Sequence, residues 1–290
     1  MTELLLNAIM NGILLGGVLA LLAFGMNLIF GVVKIIHLAY GQCVMLGMYV
    51  VYTLAVQIKM PVILACILSL PVMAIVGVLL QSLVINPLLK AKANPLTQLL
   101  ALAGLTIVIE NMAQVIWGAD LRGINIQLPL IHFGNIFIRT SNLIAFFGAL
   151  LTLLGLYLFL NRTYLGLAIR SIAQDLDSAR LMGINPRAIY YTTMAAGGLL
   201  TGVIAAFFSP IYAVHPHFGG SFTMMAFIIV VLGGMGNMLG GFIGAFIIGI
   251  VTSVSAVLTS TEIADILALV IFIAVILVRP QGLLGIKVSK

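Results

Sequence analysis

Long, unbroken apolar runs alternate along this chain with short polar breaks. The runs are Leu4–Phe30, Gly41–Val56, Val62–Ile85, Leu96–Trp117, Asn142–Leu160, Pro186 to about Ala213, Phe222–Leu232, Phe242–Leu258 and Ile266–Val278. Most approach or exceed the roughly 20 residues that carry a helix across a hydrocarbon core. They are continuous rather than alternating, which selects helices over a membrane β-barrel. The pattern therefore predicts an all-α, polytopic integral membrane bundle of about nine segments, forming one domain over residues 1–290. Two polar interruptions, Gly31–Gly41 (GVVKIIHLAYG) and Gly233–Gly241 (GGMGNMLGG), predict broken helices. If either Gly31–Gly41 or the short run Phe222–Leu232 only dips partway, the count is eight. The first run lacks a cationic leader, so it reads as a transmembrane helix and not as a cleaved signal.

Composition agrees. The chain is 63% hydrophobic and only 7% charged, against roughly 25% charged residues in soluble domains. Its net charge of +6 is explained by topology, because Lys and Arg collect in cytoplasmic loops. Asn161–Arg187 holds four arginines, Asn86–Pro95 two lysines, and the tail Arg279, Lys287 and Lys290. Placing all three inside fits the parity of the runs. Lys34 then lies inside, while the N-terminus, Gly118–Ser141 and His215–Ser221 lie outside. The alternation INIQLPLIHFGNIFIR within Gly118–Ser141 fits short strand or loop. No basic patch interleaves with aromatics, which excludes nucleic acid as a partner. Cys43 and Cys66 form no CxxC pair and read as inert buried thiols.

Small residues at helical spacing mark close helix contacts: Gly12, Gly16, Ala20; and Gly198, Gly202, Ala206. Asn7 and Asn11 share a face that should meet protein. Asn161–Arg187 (NRTYLGLAIRSIAQDLDSARLMGINPR) reads as a short amphipathic helix. Ile169, Ile172, Ala173, Leu176 and Ala179 recur at helical spacing, Asp177 can pair with Arg180, and Gly183 supplies the stop. Asn185-Pro186 starts the next helix. The pattern alone leaves two readings: a loop lying on headgroups, or a docking helix for a cytosolic subunit.

Glu110 is the one carboxylate inside an apolar run. A charge there costs roughly 2.5–3.5 kcal/mol on the lenient scale, so it should face the bundle interior or a wet cavity. Asn111 and Gln114 stand near enough in sequence to bond it. It reads as a hydrogen-bonded packing residue, a pathway residue for a cationic or polar group, or a proton relay. GGMGNMLGG lacks the Gly-Lys-Ser/Thr of a phosphate loop. Its glycines suit a broken helix whose backbone could touch a solute. His215-Pro216-His217 reads as a plain turn, too sparse for a metal site. HExxH and GxSxG do not occur, so neither a catalytic residue nor a metal ligand is expected.

The segment AIRSIAQDLDSARLMGINPRAI, the run FTMMAFIIVVLGGMGNMLGGFIGAFIIG, the closing RPQGLLG and the opening NGILLGGVLALLAFGMNLIFGVV together resemble the LivH-like permease subunits of branched-chain amino-acid ABC transporters. The resemblance runs the length of the chain. It implies a non-catalytic translocation subunit in a bacterial-type inner membrane, without a cofactor of its own. Its partners would be a second, homologous permease, two cytosolic ATP-binding subunits and an extracytoplasmic solute-binding protein. Coupling to the ATPases would fall to Arg170, Asp175, Asp177, Arg180, Gly183 and Asn185 within 161–187. The pathway would fall to His37, Tyr40, Gln42, Glu110, Asn111, Gly233, Gly234 and Gly236. The cargo expected is a branched-chain or related apolar amino acid. The alternatives are another small solute such as urea or an amide, or a self-contained secondary transporter or channel. The chain departs from the family twice. Where relatives read Asn-Phe-Ala-His-Gly-Glu, it has His37 to Gln42; where they carry Gln-Asn, it has Glu110-Asn111. An acid lost at one place and gained at the other predicts that Gln42 and Glu110 approach each other.

Overall fold

The computed structural model describes residues 2–124, 129–133, 136–279 and 281–284. The helices are α1 (Thr2–Val33), α2 (Tyr40–Tyr52), α3 (Val62–Leu80), α4 (Asn86–Lys90), α5 (Pro95–Trp117), α6 (Thr140–Arg162), α7 (Tyr164–Gln174), α8 (Leu176–Leu181), α9 (Pro186–Phe208), α10 (Phe218–Gly233), α11 (Met238–Leu258) and α12 (Thr261–Val278). Between α5 and α6, strands β1 (Leu130–Phe133) and β2 (Ile136–Arg139) form an antiparallel hairpin with Leu130 opposite Arg139. The expected polytopic helical membrane protein is what folds. Among the described residues six helices are long and apolar enough to cross a membrane, and Phe218–Gly233 and Ile263–Val278 are shorter apolar helices. Residues 125–128 and 134–135 of the outer excursion, Pro280, and the tail with Lys287 and Lys290 lie outside the described residues.

The chain forms two compact units. One comprises Met1–Asn27, Asn125–Leu151 and Met224–Lys290; the other comprises Leu28–Ile124 and Thr152–Thr223.

In the first unit, the small-residue ridge of α1 meets α11. A Cβ on Gly12 would lie 2.7 Å from the Ile250 Cα, and one on Gly249 2.7 Å from the Gly16 Cα. The amide nitrogens of Asn7 and Asn11 donate to the carbonyls of Glu3 and Asn7 on their own helix. The break between α10 and α11 is stitched closed. Asn27 accepts from the Gly236 N–H (2.9 Å) and donates to the Asn237 carbonyl (3.3 Å). After α12, Leu283 and Leu284 donate to the carbonyls of Leu232 and Gly233, and Asn237 donates to the Leu284 carbonyl.

In the second unit, α3 and α9 cross so closely that a Cβ on Gly77 would stand 2.2 Å from the Met194 carbonyl oxygen, and one on Gly198 2.2 Å from that of Met73. Contact at this range is what small-residue seams supply in lipid, where apolar burial between helices contributes little. α2 continues through a π turn, Thr53–Gln57. α5 leans on α2 through Trp117, which stacks on Tyr49 at 4.6 Å and donates from Nε1 to the Thr53 hydroxyl (2.9 Å).

Several boundaries correct the sequence pattern. The turn expected over Asn86–Pro95 starts later, because α3 runs through a π turn (Gln81–Ile85) into α4. Pro87 stands in the first turn of α4, directly after the π turn. The sixth run ends at Phe208 rather than near Ala213, α10 begins at Phe218 rather than Phe222, and α12 begins inside Thr259–Asp265, with Ser260 as its N-cap. Asn161–Arg187 is not a single helix: α7 and α8 meet at Asp175, whose extended backbone ends one and caps the other.

Candidate functional site

The polar groups of the second unit gather in two places. The first is the end of α5 nearest Trp117. Gly41 and Gly219 let the first turns of α2 and α10 touch: a Cβ on Gly41 would lie 2.2 Å from the Gly219 carbonyl oxygen, and one on Gly219 2.4 Å from Gln42 Oε1. The Gly41 N–H donates to the Thr223 hydroxyl at 3.0 Å. Gln42 is thereby fully buried, and its Nε2 donates to Glu110 Oε2 at 3.4 Å. The other carboxylate oxygen, Oε1, pairs with His217 Nδ1. Glu110 is mostly enclosed, its side chain 26% exposed, whereas His217 is 72% exposed.

The loop that carries His217 is pinned on both sides. Val214 exchanges two backbone hydrogen bonds of 2.8 Å with Arg122, and Phe218 stacks on Phe222 at 4.6 Å. Phe208 and Tyr212 complete this aromatic cluster. The neighbouring His215 stands 6.4 Å from His217, ring to ring. Burial, and then the nearby His217, push its pKa down.

The structure thus brings Gln42 and Glu110 together and adds His217, from the turn His215-Pro216-His217. A signal for His217 was present. An intramembrane carboxylate needs a partner, Glu110 lies in the outer half of its helix, and parity puts His215–Ser221 on that same face. Asn111, in contrast, does not serve Glu110. One residue along a helix is a rotation of 100°, so Asn111 points outward and donates to the Ile107 carbonyl (2.8 Å). Gln114 is exposed as well. His37 and Tyr40 also part company with Gln42. His37, in the break before α2, and Tyr40, at its start, are buried and pack tightly against Met73 and Gly77 of α3 and Met194, Gly197, Gly198 and Thr201 of α9. Gly233, Gly234 and Gly236 belong to the stitched turn of the other unit, where the Gly234 N–H also bonds, to the Val231 carbonyl at 3.1 Å.

The second place is α7–α8. Thr163 caps α7 by accepting from the Gly166 N–H (3.0 Å). Asp175 caps α8 by accepting from the N–H groups of Asp177 (3.0 Å) and Ser178 (3.3 Å). The Ser178 hydroxyl, then these backbone donors, hold its carboxyl below the usual range. Arg180 reaches Asp177 at 3.4 Å across one turn. Gly183 takes the left-handed conformation (φ +82°) that ends the segment, and Asn185 caps α9 by accepting from the Arg187 N–H. Ile169, Ile172 and Ala179 are buried. Arg170 is half-buried, with no hydrogen-bond partner for its Nε. Beyond them Leu181 and Met182 project with 89% and 85% exposure, beside an open groove lined by Ser171, Gln174, Asp175 and Ser178 among others. Lys34, in the break between α1 and α2, donates from Nζ to the Ala173 carbonyl (3.1 Å), and Asn86 donates to the Tyr191 hydroxyl (2.7 Å). Lys34, Asn86 and α7–α8 therefore share one end of this unit, as parity expects.

Comparison with known proteins places these features in a common frame. A family model described as "Branched-chain amino acid transport system / permease component" matches residues 8–276. The high-affinity branched-chain amino acid transport system permease protein LivH of Escherichia coli K12 is 27% identical over 97% of this chain and 95% of its own. The corresponding BraD protein of Pseudomonas aeruginosa is 28% identical over the same shares. A probable LivH protein of Methanocaldococcus jannaschii is 27% identical over 97% of this chain and 92% of its own. No solved structure matches the chain.

Proposed function

Because this chain belongs to the branched-chain amino acid permease family, we propose that it is the translocation subunit of an ATP-driven importer for branched-chain or related apolar amino acids. It acts as one permease domain in a bacterial-type inner membrane, beside a second permease, two cytosolic ATPases and an extracytoplasmic receptor. Metabolic energy enters through α7–α8, and the observation that carries this is the build of that segment. It is capped at each end, anchored on its inner face, and tipped by two apolar side chains left in the open. Exposed apolar groups on a rigid, polar support suit a protein partner, the more so beside a groove.

Movement of α7–α8 has a route to the other end of the unit. Lys34 holds the C-terminal end of α7 to the start of the α1–α2 break, and α2 carries Gln42 to Glu110. A docked ATPase that shifts the segment thereby shifts a partner of the half-buried carboxylate. Small shifts of this kind are amplified where packed elements have two arrangements. Glu110, held by the buried Gln42, receives the cargo's ammonium group.

Reconstitution tests the reading. The complete transporter in proteoliposomes should accumulate leucine only with ATP inside and loaded receptor outside. Leucine uptake by this chain alone, without ATP, would overturn the importer reading in favour of a self-contained transporter.

A further inference from the structure

Glu110 has two partners of opposite character. Gln42 is wholly buried at the contact between α2 and α10, and it has no other place to go. His217 stands on a turn, mostly in the open, and water can solvate its ring as soon as it leaves. A partner that can be solvated is cheap to release, and one that is buried is not. The backbone on either side of His217 is held, by the Arg122–Val214 bonds and by the buried, stacked Phe218. The imidazole can therefore swing away by its own side-chain rotation while the turn stays in place.

We propose that His217 is a specificity-determining residue that holds the place of the cargo's ammonium on Glu110. An arriving amino acid takes Oε1 by displacing the imidazole, while Gln42 keeps Oε2. The exchange swaps one N–H donor for another, so Glu110 is never left bare in an apolar setting, which is the costly alternative. A solute of the same shape without an ammonium group has nothing to offer Oε1 and leaves His217 in place. This rests on the reading above and adds to it the means by which the site tells an amino acid from its uncharged or anionic analogues. Of the titratable groups at the exchange, Glu110 is on α5, and His217 and the neighbouring His215 are on the turn before α10. The neutral amide of Gln42 completes the set from α2.

The test is solid-state NMR of the complete transporter in lipid, with ring-15N histidine in this subunit alone. The spectrum of His217→Gln identifies the resonance. L-leucine and 3-methylbutylamine, which carry the ammonium, should move the His217 signal from a hydrogen-bonded to a solvated imidazole. The oxo acid 4-methyl-2-oxopentanoate, which lacks it, should leave the signal in place. Glu110→Gln should weaken the contact and show the solvated signal with no ligand at all. A shift with the oxo acid, or a His217 signal unmoved by either amine, overturns the exchange. ATP-driven leucine uptake in the same vesicles separates the failures. Uptake with an unmoved signal overturns the exchange alone, whereas absence of both overturns the importer reading with it.

Discussion

The two ends of the second unit invert the ordinary rule of burial in opposite senses. At the Glu110 end a carboxylate sits inside apolar surroundings, kept there by Gln42 and His217. At the α7–α8 end two large apolar side chains sit outside, on helices capped by Thr163 and Asp175. Each inversion costs free energy in the isolated chain, a cost that a bound third party would offset. The difference lies in what arrives. A half-buried carboxylate with one loosely held partner suits a small solute that replaces that partner. An open apolar tip on a rigid base suits a protein, which can cover it. The contrast also explains how the two places are built, from distant residues in one case and from a single short stretch in the other.

The largest effect should come from removing the apolar tip. Replacing Leu181 and Met182 together by Asp should abolish ATPase co-purification and lower uptake by about 1,000-fold, since two side chains of this kind at an interface centre are worth about 2 kcal/mol each or more. The chain should still insert and fold, because neither side chain is buried within it. If the ATPases stay bound and uptake persists, the tip is no docking element and the comparison collapses to the solute end alone. The solute end should respond differently. Glu110→Gln should cut maximal uptake by about tenfold while the ATPases remain attached, a charge-assisted hydrogen bond being worth about 1.5–3 kcal/mol. A variant with full uptake would reduce Glu110 to a packing residue.

That same contrast governs what could be read from the chain. The α7–α8 segment was largely legible, because capping residues, the stop at Gly183 and the start at Asn185-Pro186 all act within a few positions. Its one surprise, the division at Asp175, arises because the carboxylate competes with the helix for the N–H groups of Asp177 and Ser178. The close seams were legible too. Gly12 and Gly16, or Gly198 and Gly202, show their spacing in the sequence, although which helix they meet is not written there. The Glu110 end was half legible. Exchange of the acidic residue between two motifs pointed to Gln42, but His217 reaches Glu110 from more than a hundred positions away. His37 and Tyr40 stand in the same motif as Gln42 and were grouped with it. The non-helical break before α2 and the rotation from Tyr40 to Gln42 turn them instead against α3 and α9.

A smaller effect is expected at Gly183. With φ at +82° it occupies a region that costs a residue with a side chain about 1–2 kcal/mol. The space around its Cβ is open, so backbone strain is the whole of the cost. Gly183→Leu should loosen the end of α8 and lower coupled uptake by about fivefold, with ATPase binding weakened but measurable. Equal uptake in wild type and variant would mean that the geometry of α8 is irrelevant to docking, leaving only its apolar tip.

The smallest effect belongs to Asp175, and it sharpens the contrast between an exposed, local charge and the enclosed one at Glu110. Its carboxyl is held below the usual range by the Ser178 hydroxyl first and then by the Ser178 and Asp177 N–H groups. A carboxylate whose pKa is depressed on folding stabilises the fold above its unfolded value, about 3.9, and loses that contribution as pH falls through the lower, folded value. Asp175 is therefore charged throughout the physiological range, and its cap contributes no pH dependence to uptake between about pH 5 and 8. Asp175→Asn keeps an acceptor oxygen but not the charge and should change uptake by about twofold at most; Asp175→Ala removes both and should do more. Hydrogen exchange reports this directly. The amides of Asp177 and Ser178, corrected for their intrinsic rates, should lose protection in Asp175→Ala and, in the wild type, only in acid below about pH 4. Unchanged protection in Asp175→Ala would show that α8 stands without its cap. The junction at Asp175 would then be set by the buried Ile172 and Ala179 on either side of it, and the polar support would owe its rigidity to the same apolar packing as the rest of the unit.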